Sequence, residues 1–112
     1  MTIFTKILNR EIPATIVYED EKCLAFRDVN PQAPMHILLI PKKEIPTLND
    51  LSPDDASLMG HLMTMVPKIA AQEGIAEKGY RTVINTNAHG GQTVHHIHLH
   101  IIGGRALTWP PG

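Results

Sequence analysis

Near its carboxyl end the chain alternates between histidine and aliphatic residues. Histidines stand at positions 96, 98 and 100, and aliphatic residues stand at positions 97, 99 and 101. Successive side chains of a β-strand point to opposite faces, so this spacing predicts a strand over residues 93–102. The aliphatic face would pack into the core, and His96, His98 and His100 would form a row of imidazoles on the other face.

Histidine imidazoles can coordinate a metal ion, but the spacing of this row makes it difficult for one ion to bind all three. With a rise of about 3.3 Å per residue, the outer two histidines of the row lie about 13 Å apart. Zinc holds its nitrogen ligands at about 2.0–2.1 Å, so one ion does not reach all three. A metal role stays open only if His36 or His89 supplies a ligand from elsewhere in the chain.

Phosphate suits the row better, because a phosphate ester presents several oxygens along it. Neutral imidazole is a good nucleophile near pH 7, and neighbouring imidazoles can act as acids or hydrogen-bond donors. The middle histidine, His98, is then the natural attacking group, with a donor on each side.

The remaining sequence predicts one α+β domain. A short helix is expected over residues 3–8, and a long helix is expected from an N-cap at Ser52 to a stop at Gly74. Pro67 lies inside the long helix and should kink it or end its regular part early. Further strands are expected over residues 15–18, 23–28, 36–40 and 80–85, with a glycine-containing loop over residues 87–92. This order favours a mostly antiparallel sheet with the helix on one face.

Composition narrows the class of protein. A chain of 112 residues fits a single domain, and a hydrophobic fraction of 43% provides for a real core. The net charge of -1 argues against a nucleic-acid partner. The single cysteine, Cys23, excludes an internal disulfide and fits a reducing compartment. No signal peptide or membrane-spanning run is evident, so we expect a cytoplasmic protein without a membrane partner.

Several segments together resemble the histidine triad (HIT) family. The His96-x-His98-x-His100 pattern matches its signature, and the surrounding sequence is similar to that of the branch of histidine triad nucleotide-binding (HINT) proteins. The resemblance covers nearly the whole chain and includes these segments: Asp28 to His36 (DVNPQAPMH), Gly90 to Val94 (GGQTV), Gly103-Gly104-Arg105 and Trp109-Pro110-Pro111-Gly112.

This resemblance implies a fold and an activity. It implies one HIT-like domain over residues 1–112, with a tail at residues 106–112. The five-stranded sheet, with one long and one short helix, would join a second copy in a homodimer with a ten-stranded sheet. The implied activity is purine nucleoside phosphoramidate hydrolysis, in which the P–N bond between AMP or GMP and an amine such as lysine is cleaved. The reaction would pass through a nucleotidyl-histidine intermediate and need no metal or other cofactor.

The resemblance also assigns roles to individual residues. His98 would be the nucleophile, His96 and His100 would orient it and contact phosphate, and His36 would complete a proton or hydrogen-bond network behind them. Asp28 would bind the ribose hydroxyls, which suits its acceptor-only carboxylate. The other implied nucleotide-binding residues are Ile3, Phe4, Ile12 and Val29 at the base, Asn85, Gly91 and Thr93 at the phosphate or leaving group, and Trp109 reaching towards the partner's site.

Three alternatives remain at this point. One is a dinucleoside polyphosphate hydrolase, another branch of the same family, against which the Trp-Pro-Pro-Gly tail and the Gly-Gly-Arg segment argue. The second is a nucleotide-binding adaptor protein with residual hydrolysis, which the intact triad disfavours as a full account. The third is a metal-binding protein, which predicts stoichiometric zinc after purification.

Overall fold

The computed structural model describes all residues from Met1 to Gly112. In chain order its elements are helix α1 (Ile3–Leu8), strands β1 (Ile16–Glu19), β2 (Cys23–Arg27) and β3 (Met35–Pro41), helix α2 (Ala56–Gln72), strand β4 (Tyr80–Val83), the one-turn helix α3 (Asn87–Gly90) and strand β5 (Leu99–Gly103). The strands form one five-stranded sheet in the order β1-β2-β3-β5-β4, with every neighbouring pair antiparallel. The predicted α+β class and antiparallel sheet are confirmed.

The two faces of the sheet carry two separate apolar clusters, because side chains alternate along each strand. The larger cluster lies under α2 and contains Cys23, Ala25, Ile37, Leu39, Leu62, Val66, Ile69, Ala70, Ile75, Leu99 and Ile101. The smaller cluster lies under α1 and contains Phe4, Ile7, Leu24, Phe26, Leu38 and Ile40. His36 on β3 is two residues from Leu38, and His100 on β5 pairs with Leu38, so both imidazoles lie on the α1 face.

Helix α1 forms where the sequence predicts it. Thr2 accepts a hydrogen bond from the Thr5 amide at 3.3 Å, which closes the first turn. This short helix holds Phe4 and Ile7 against the sheet, and both are buried. The packing of these two side chains keeps the helix in place, since six residues alone do not form a stable helix in water.

Helix α2 differs from the sequence prediction at both places where proline lies. Pro53 belongs to a separate 3₁₀ turn, Pro53–Asp55, so Ser52 precedes that turn and not α2 itself. Pro67 does not end the regular part early, because α2 continues to Gln72. Pro67 is exposed, while Val66 and Ile69 are buried against the sheet, and this packing offsets the hydrogen bond that proline removes.

The histidine strand is shorter than its sequence pattern predicts. Pairing between β3 and β5 reaches only as far as Leu39 opposite Leu99. Two more residues of pairing would require a ladder hydrogen bond from Pro41, which has no N–H. The Ile97 amide donates instead to the Ile45 carbonyl at 2.7 Å. The prediction of a strand over residues 93–102 is therefore wrong for its first six residues, and His96 and His98 precede the strand.

Two smaller boundaries also shift: β4 ends at Val83, two residues before the predicted end, and the predicted loop 87–92 contains α3. None of the helices combines the length and the apolar composition needed to cross a bilayer.

Candidate active site

A cavity of about 310 Å³ opens on the α1 face of the sheet. Eight of the residues that line it were expected from the sequence to bind nucleotide or act in catalysis: Ile3, Phe4, Ile12, Asp28, Val29, Thr93, His98 and His100. These come from α1, the loop after it, the end of β2 and the segment around β5. Residues that are far apart in sequence thus meet around one mostly apolar space.

Sequence reasoning missed part of this lining. The additional residues are Ile7, Pro13, Ala14, Phe26, Arg27, Leu38 and Val94. Two of them carried a usable signal, because Phe26 lies two residues before Asp28 and Leu38 lies two residues after His36. The two-residue period of a strand places such pairs on one face. The others come together only through the packing of α1 and its loop, which no local pattern specifies.

The tautomer of His98 follows from its hydrogen bond to the main chain. Its Nδ1 lies 2.8 Å from the carbonyl oxygen of His96, and a carbonyl only accepts. Nδ1 therefore carries the proton, and Nε2 carries a free lone pair. Burial lowers the pKa of His98 below its usual range, so the ring is neutral near pH 7. The ring is held edge-on to Phe4, with 5.0 Å between ring centroids.

A chain of hydrogen bonds also fixes the tautomers of His36 and His100. The main-chain N–H of Gln32 donates to Nδ1 of His36 at 3.0 Å, which leaves the His36 proton on Nε2. That Nε2 lies 2.9 Å from Nδ1 of His100 and 3.4 Å from Oδ2 of Asp28. Nδ1 of His100 is then the acceptor, and its proton lies on Nε2, which has no protein partner.

His100 is neutral over the whole physiological range. Burial and, to a smaller extent, the repulsion that a protonated His98 or His36 would exert lower the pKa of His100 to about 4. Its ring lies 4.9 Å from that of His98, measured between centroids. The site therefore holds two uncharged groups side by side: a nitrogen lone pair on His98 and an N–H on His100 that is buried and has no partner.

His96 lies outside the cavity, unlike the other two histidines of the triad. Its side chain is fully buried, and its Nε2 donates to the Pro41 carbonyl at 2.7 Å. Burial lowers the pKa of His96 as well, and its Nδ1 has no partner. The part of His96 that serves the site is its main-chain carbonyl, which orients His98.

Asp28 stabilises a turn and also lines the cavity. Its Oδ1 accepts a hydrogen bond from the main-chain N–H of Asn30 at 2.8 Å, which stabilises the turn after β2. Its Oδ2 faces Nε2 of His36. The carboxylate is half-buried and lines the cavity, so it keeps acceptor capacity for a ligand.

Three predicted nucleotide-binding residues lie away from this cavity. Asn85 and Trp109 line a second cavity of about 660 Å³ between β4 and the carboxyl-terminal tail. Trp109 is 81% exposed, and the Arg81 guanidinium stacks over its ring at 5.9 Å. Gly91 ends α3 with a φ of 84°, where glycine is favoured, and it is exposed. None of the three reaches the cavity of its own chain.

Two groups of side chains have donor atoms close enough to be considered as metal ligands. In the first group, Asp28, His36 and His100, the two imidazole nitrogens are 2.9 Å apart. Two nitrogens bound to one tetrahedral zinc would be about 3.3 Å apart, so the observed distance is that of a hydrogen bond.

The second group contains Asp20, Cys23 and His61, on the α2 side of the sheet. Burial raises the pKa of the Cys23 thiol to about 12, whereas a metal requires the thiolate. Both oxygens of Asp20 already accept hydrogen bonds. Neither group is arranged as a ready metal site.

Comparison with known proteins identifies the family. Residues 9–107 match the family described as HIT domain. An uncharacterized HIT-like protein from Synechococcus elongatus is 63% identical over 111 residues, which are 99% of this chain and 96% of that protein. The purine nucleoside phosphoramidase of Escherichia coli K12 is 58% identical over 106 residues, which are 95% of this chain and 89% of that protein. The crystal structure of a HIT family hydrolase from Legionella pneumophila has a TM-score of 0.98 and 54% identity, with 100% of both chains covered. The chain therefore belongs to the HIT (histidine triad) family.

Proposed function

We propose that this protein is a hydrolase that cleaves the P–N bond of purine nucleoside phosphoramidates, releasing AMP or GMP and an amine. The observation that carries this proposal is the neutral His98, whose unprotonated Nε2 belongs to a ring that lines the 310 Å³ cavity. The 58% identity to a protein named purine nucleoside phosphoramidase supports the choice of substrate.

In the proposed reaction, Nε2 of His98 attacks phosphorus and the P–N bond breaks. The leaving nitrogen takes a proton from water and departs as the amine. The Nε2–H of His100 is unpartnered but enclosed in the free protein, so it would donate to a phosphoryl oxygen, as negative charge develops there, only once substrate binding made it accessible. A second water then attacks phosphorus and loses a proton to the hydroxide left by the first, the P–N bond to His98 breaks, and the nucleoside monophosphate leaves with His98 again neutral.

The nucleotide would occupy the cavity in one orientation. The apolar wall formed by Ile3, Phe4, Ile12 and Val29 is proposed to hold the base. The Asp28 carboxylate would accept hydrogen bonds from the ribose hydroxyls. The Thr93 hydroxyl, also at the cavity, would bind a phosphoryl oxygen or the leaving nitrogen. A phosphate contact from Gly91 would require the loop after α3 to move towards this space.

The charges at the cavity favour this substrate over a dinucleoside polyphosphate. The lining contains no lysine, and its one arginine, Arg27, already pairs with Glu73 at 2.6 Å. A polyphosphate chain carries several negative charges that this lining does not neutralise. A phosphoramidate monoester carries a single negative charge on phosphorus, which neutral donors can bind. A substrate panel of adenosine phosphoramidate and diadenosine polyphosphates separates the two activities.

We also propose that the protein is a homodimer whose two sheets join through β4. Strand β4 lies at the edge of the sheet and pairs only with β5, so its outer side offers unpaired main-chain groups. A two-fold contact there would give a ten-stranded sheet. It would also bring Asn85 and Trp109, which lie on this side of the molecule, towards the partner's cavity. Sedimentation at micromolar concentration should give a dimer, and a monomer would contradict this arrangement.

The experiment that tests the activity is hydrolysis of a fluorogenic adenosine phosphoramidate in the presence of EDTA. We expect wild-type activity to survive the chelator and the His98→Ala variant to lose nearly all of it. His95→Ala is the matched control, because His95 is exposed and does not line the cavity. Activity abolished by EDTA would support the metal alternative. An inactive wild-type protein that still binds AMP would support the adaptor alternative.

A further inference from the structure

The loop between β2 and β3 controls a proton position in the site through its main chain. The Gln32 amide is the group that donates to Nδ1 of His36, at 3.0 Å. This one hydrogen bond places the His36 proton on Nε2 and, through the 2.9 Å contact, the His100 proton on its own Nε2. If the Gln32 amide turned away, His36 would be free to exchange tautomers, and His100 would no longer be a fixed donor.

The segment that follows β5 holds this loop from outside the cavity. Arg105 donates from Nη2 to the Gln32 carbonyl at 3.1 Å. Gly104, with a φ of 93°, lies so close to the loop that an added Cβ would come within 2.9 Å of the Pro34 Cβ. The first contact holds the peptide group that follows Gln32, and the second holds Pro34, so the loop is fixed on the carboxyl side of Gln32 relative to the end of β5, which itself carries His100.

We propose that Arg105 is a positioning residue that fixes the tautomers of His36 and His100 through the main chain of Gln32. Arg105 does not line the cavity with His98 and His100, and it lines the second cavity beside Asn85 and Trp109, so the ring spectra distinguish its effect on the tautomers from any contact with a partner's substrate. The neutral state of His100 makes this role matter, because a neutral imidazole donates from only one of its nitrogens. The consequence for catalysis rests on the proposed phosphoramidase activity, whereas the consequence for the tautomer does not.

The test compares Arg105→Ala and Arg105→Lys with the wild-type protein in two measurements. The first is a ¹H–¹⁵N long-range correlation spectrum of the histidine rings. We expect the wild-type His36 to show an unprotonated Nδ1 and a protonated Nε2. In Arg105→Ala the ¹⁵N chemical shifts of both His36 ring nitrogens should move towards the average of the two tautomers. Arg105→Lys keeps one donor, so its chemical shifts should lie between those of the wild type and those of Arg105→Ala. The second is kcat with adenosine phosphoramidate, which should fall about fivefold in Arg105→Ala, the effect of one lost hydrogen bond.

Lys68→Ala is the matched control, because Lys68 is an exposed cation on α2 that lies over Tyr18, away from the loop. It should leave both measurements unchanged. Wild-type ring spectra together with wild-type kcat in Arg105→Ala would overturn the proposal. An inactive wild-type protein would remove the proposed function, yet the ring spectra would still decide whether Arg105 sets the tautomers.

Discussion

The Nδ1–H of His98 donates to the main-chain carbonyl of His96 across 2.8 Å. The residue two positions before the proposed nucleophile thus acts through its peptide group, while its imidazole is buried against Pro41. One hydrogen bond decides which nitrogen of His98 carries the unshared lone pair. The first prediction concerns how this nitrogen responds to pH.

We expect kcat/KM to reach half of its plateau value only below pH about 6.5, the usual pKa of histidine. Protonation of Nε2 would remove the lone pair that attacks phosphorus. Burial disfavours the charged ring and lowers the pKa of His98, so protonation needs a lower pH than for an exposed histidine. A pH–rate profile from pH 5 to 8 measures this. Activity that is already halved at pH 6.5 would contradict the account.

A second prediction concerns Val29, which is 98% exposed yet lies at the cavity. A side chain that is exposed in the free protein adds little to folding, so Val29→Ala should change the free energy of unfolding by less than about 0.5 kcal/mol. If it covers the bound base, the same change should raise KM about three- to tenfold. Steady-state kinetics and urea unfolding test the two parts.

The matched control for Val29 is Met63→Ala, because Met63 is 51% exposed on α2, away from the cavity. It should leave KM at the wild-type value. Equal KM values for Val29→Ala and the wild type would mean that the bound base does not contact Val29.

A third prediction concerns Asp20, which joins the β1–β2 turn to α2. Its carboxylate accepts from Nε2 of His61 at 2.6 Å, from the Tyr18 hydroxyl and from two main-chain amides. Burial alone would raise the pKa of Asp20, but these hydrogen bonds outweigh it and hold the pKa well below its usual range. We expect Asp20→Asn to lower the free energy of unfolding by about 1–3 kcal/mol at pH 7.

The effect of Asp20 should depend on pH with a definite sign. A carboxyl whose pKa is lower in the folded state stabilises the fold above its unfolded pKa of about 3.9, and this stabilisation is lost as the pH falls further. The difference between wild type and Asp20→Asn should therefore shrink at pH 3. Asp54→Asn, at an exposed aspartate of the 3₁₀ turn before α2, is the control and should show almost no difference at either pH. A difference that does not change between pH 7 and pH 3 would contradict the assigned role.

Much of the fold was accessible from local sequence pattern. The short apolar runs of β2 and β3, the short helix α1 and the long run of α2 all follow from local residue pattern and spacing. The error at Pro67 has a physical reason. The burial of Val66 and Ile69 against the sheet stabilises the helix more than proline's local tendency to end a helix destabilises it.

The sequence pointed to eight of the residues that line the cavity but not to their arrangement. The alternation that ends in His100 continues backwards through His98 and His96, yet pairing with β3 ends at Leu99, because Pro41 of β3 has no N–H for the next ladder hydrogen bond. That limit lies in a different segment of the chain, so the alternation itself carries no sign of it. The cavity wall from α1 and the Gln32 amide at His36 depend in the same way on contacts between distant segments.

The central claim, covalent catalysis by His98, is tested most directly by trapping the intermediate. Wild-type protein would be mixed with excess adenosine phosphoramidate, quenched within the first turnovers in alkaline denaturant, and analysed by peptide mass spectrometry. The account predicts an adenylyl group on His98, with fragmentation excluding His96 and His100, and none in His98→Ala. An adenylyl group on another residue, or rapid hydrolysis with no covalent adduct under the same quench, would contradict it.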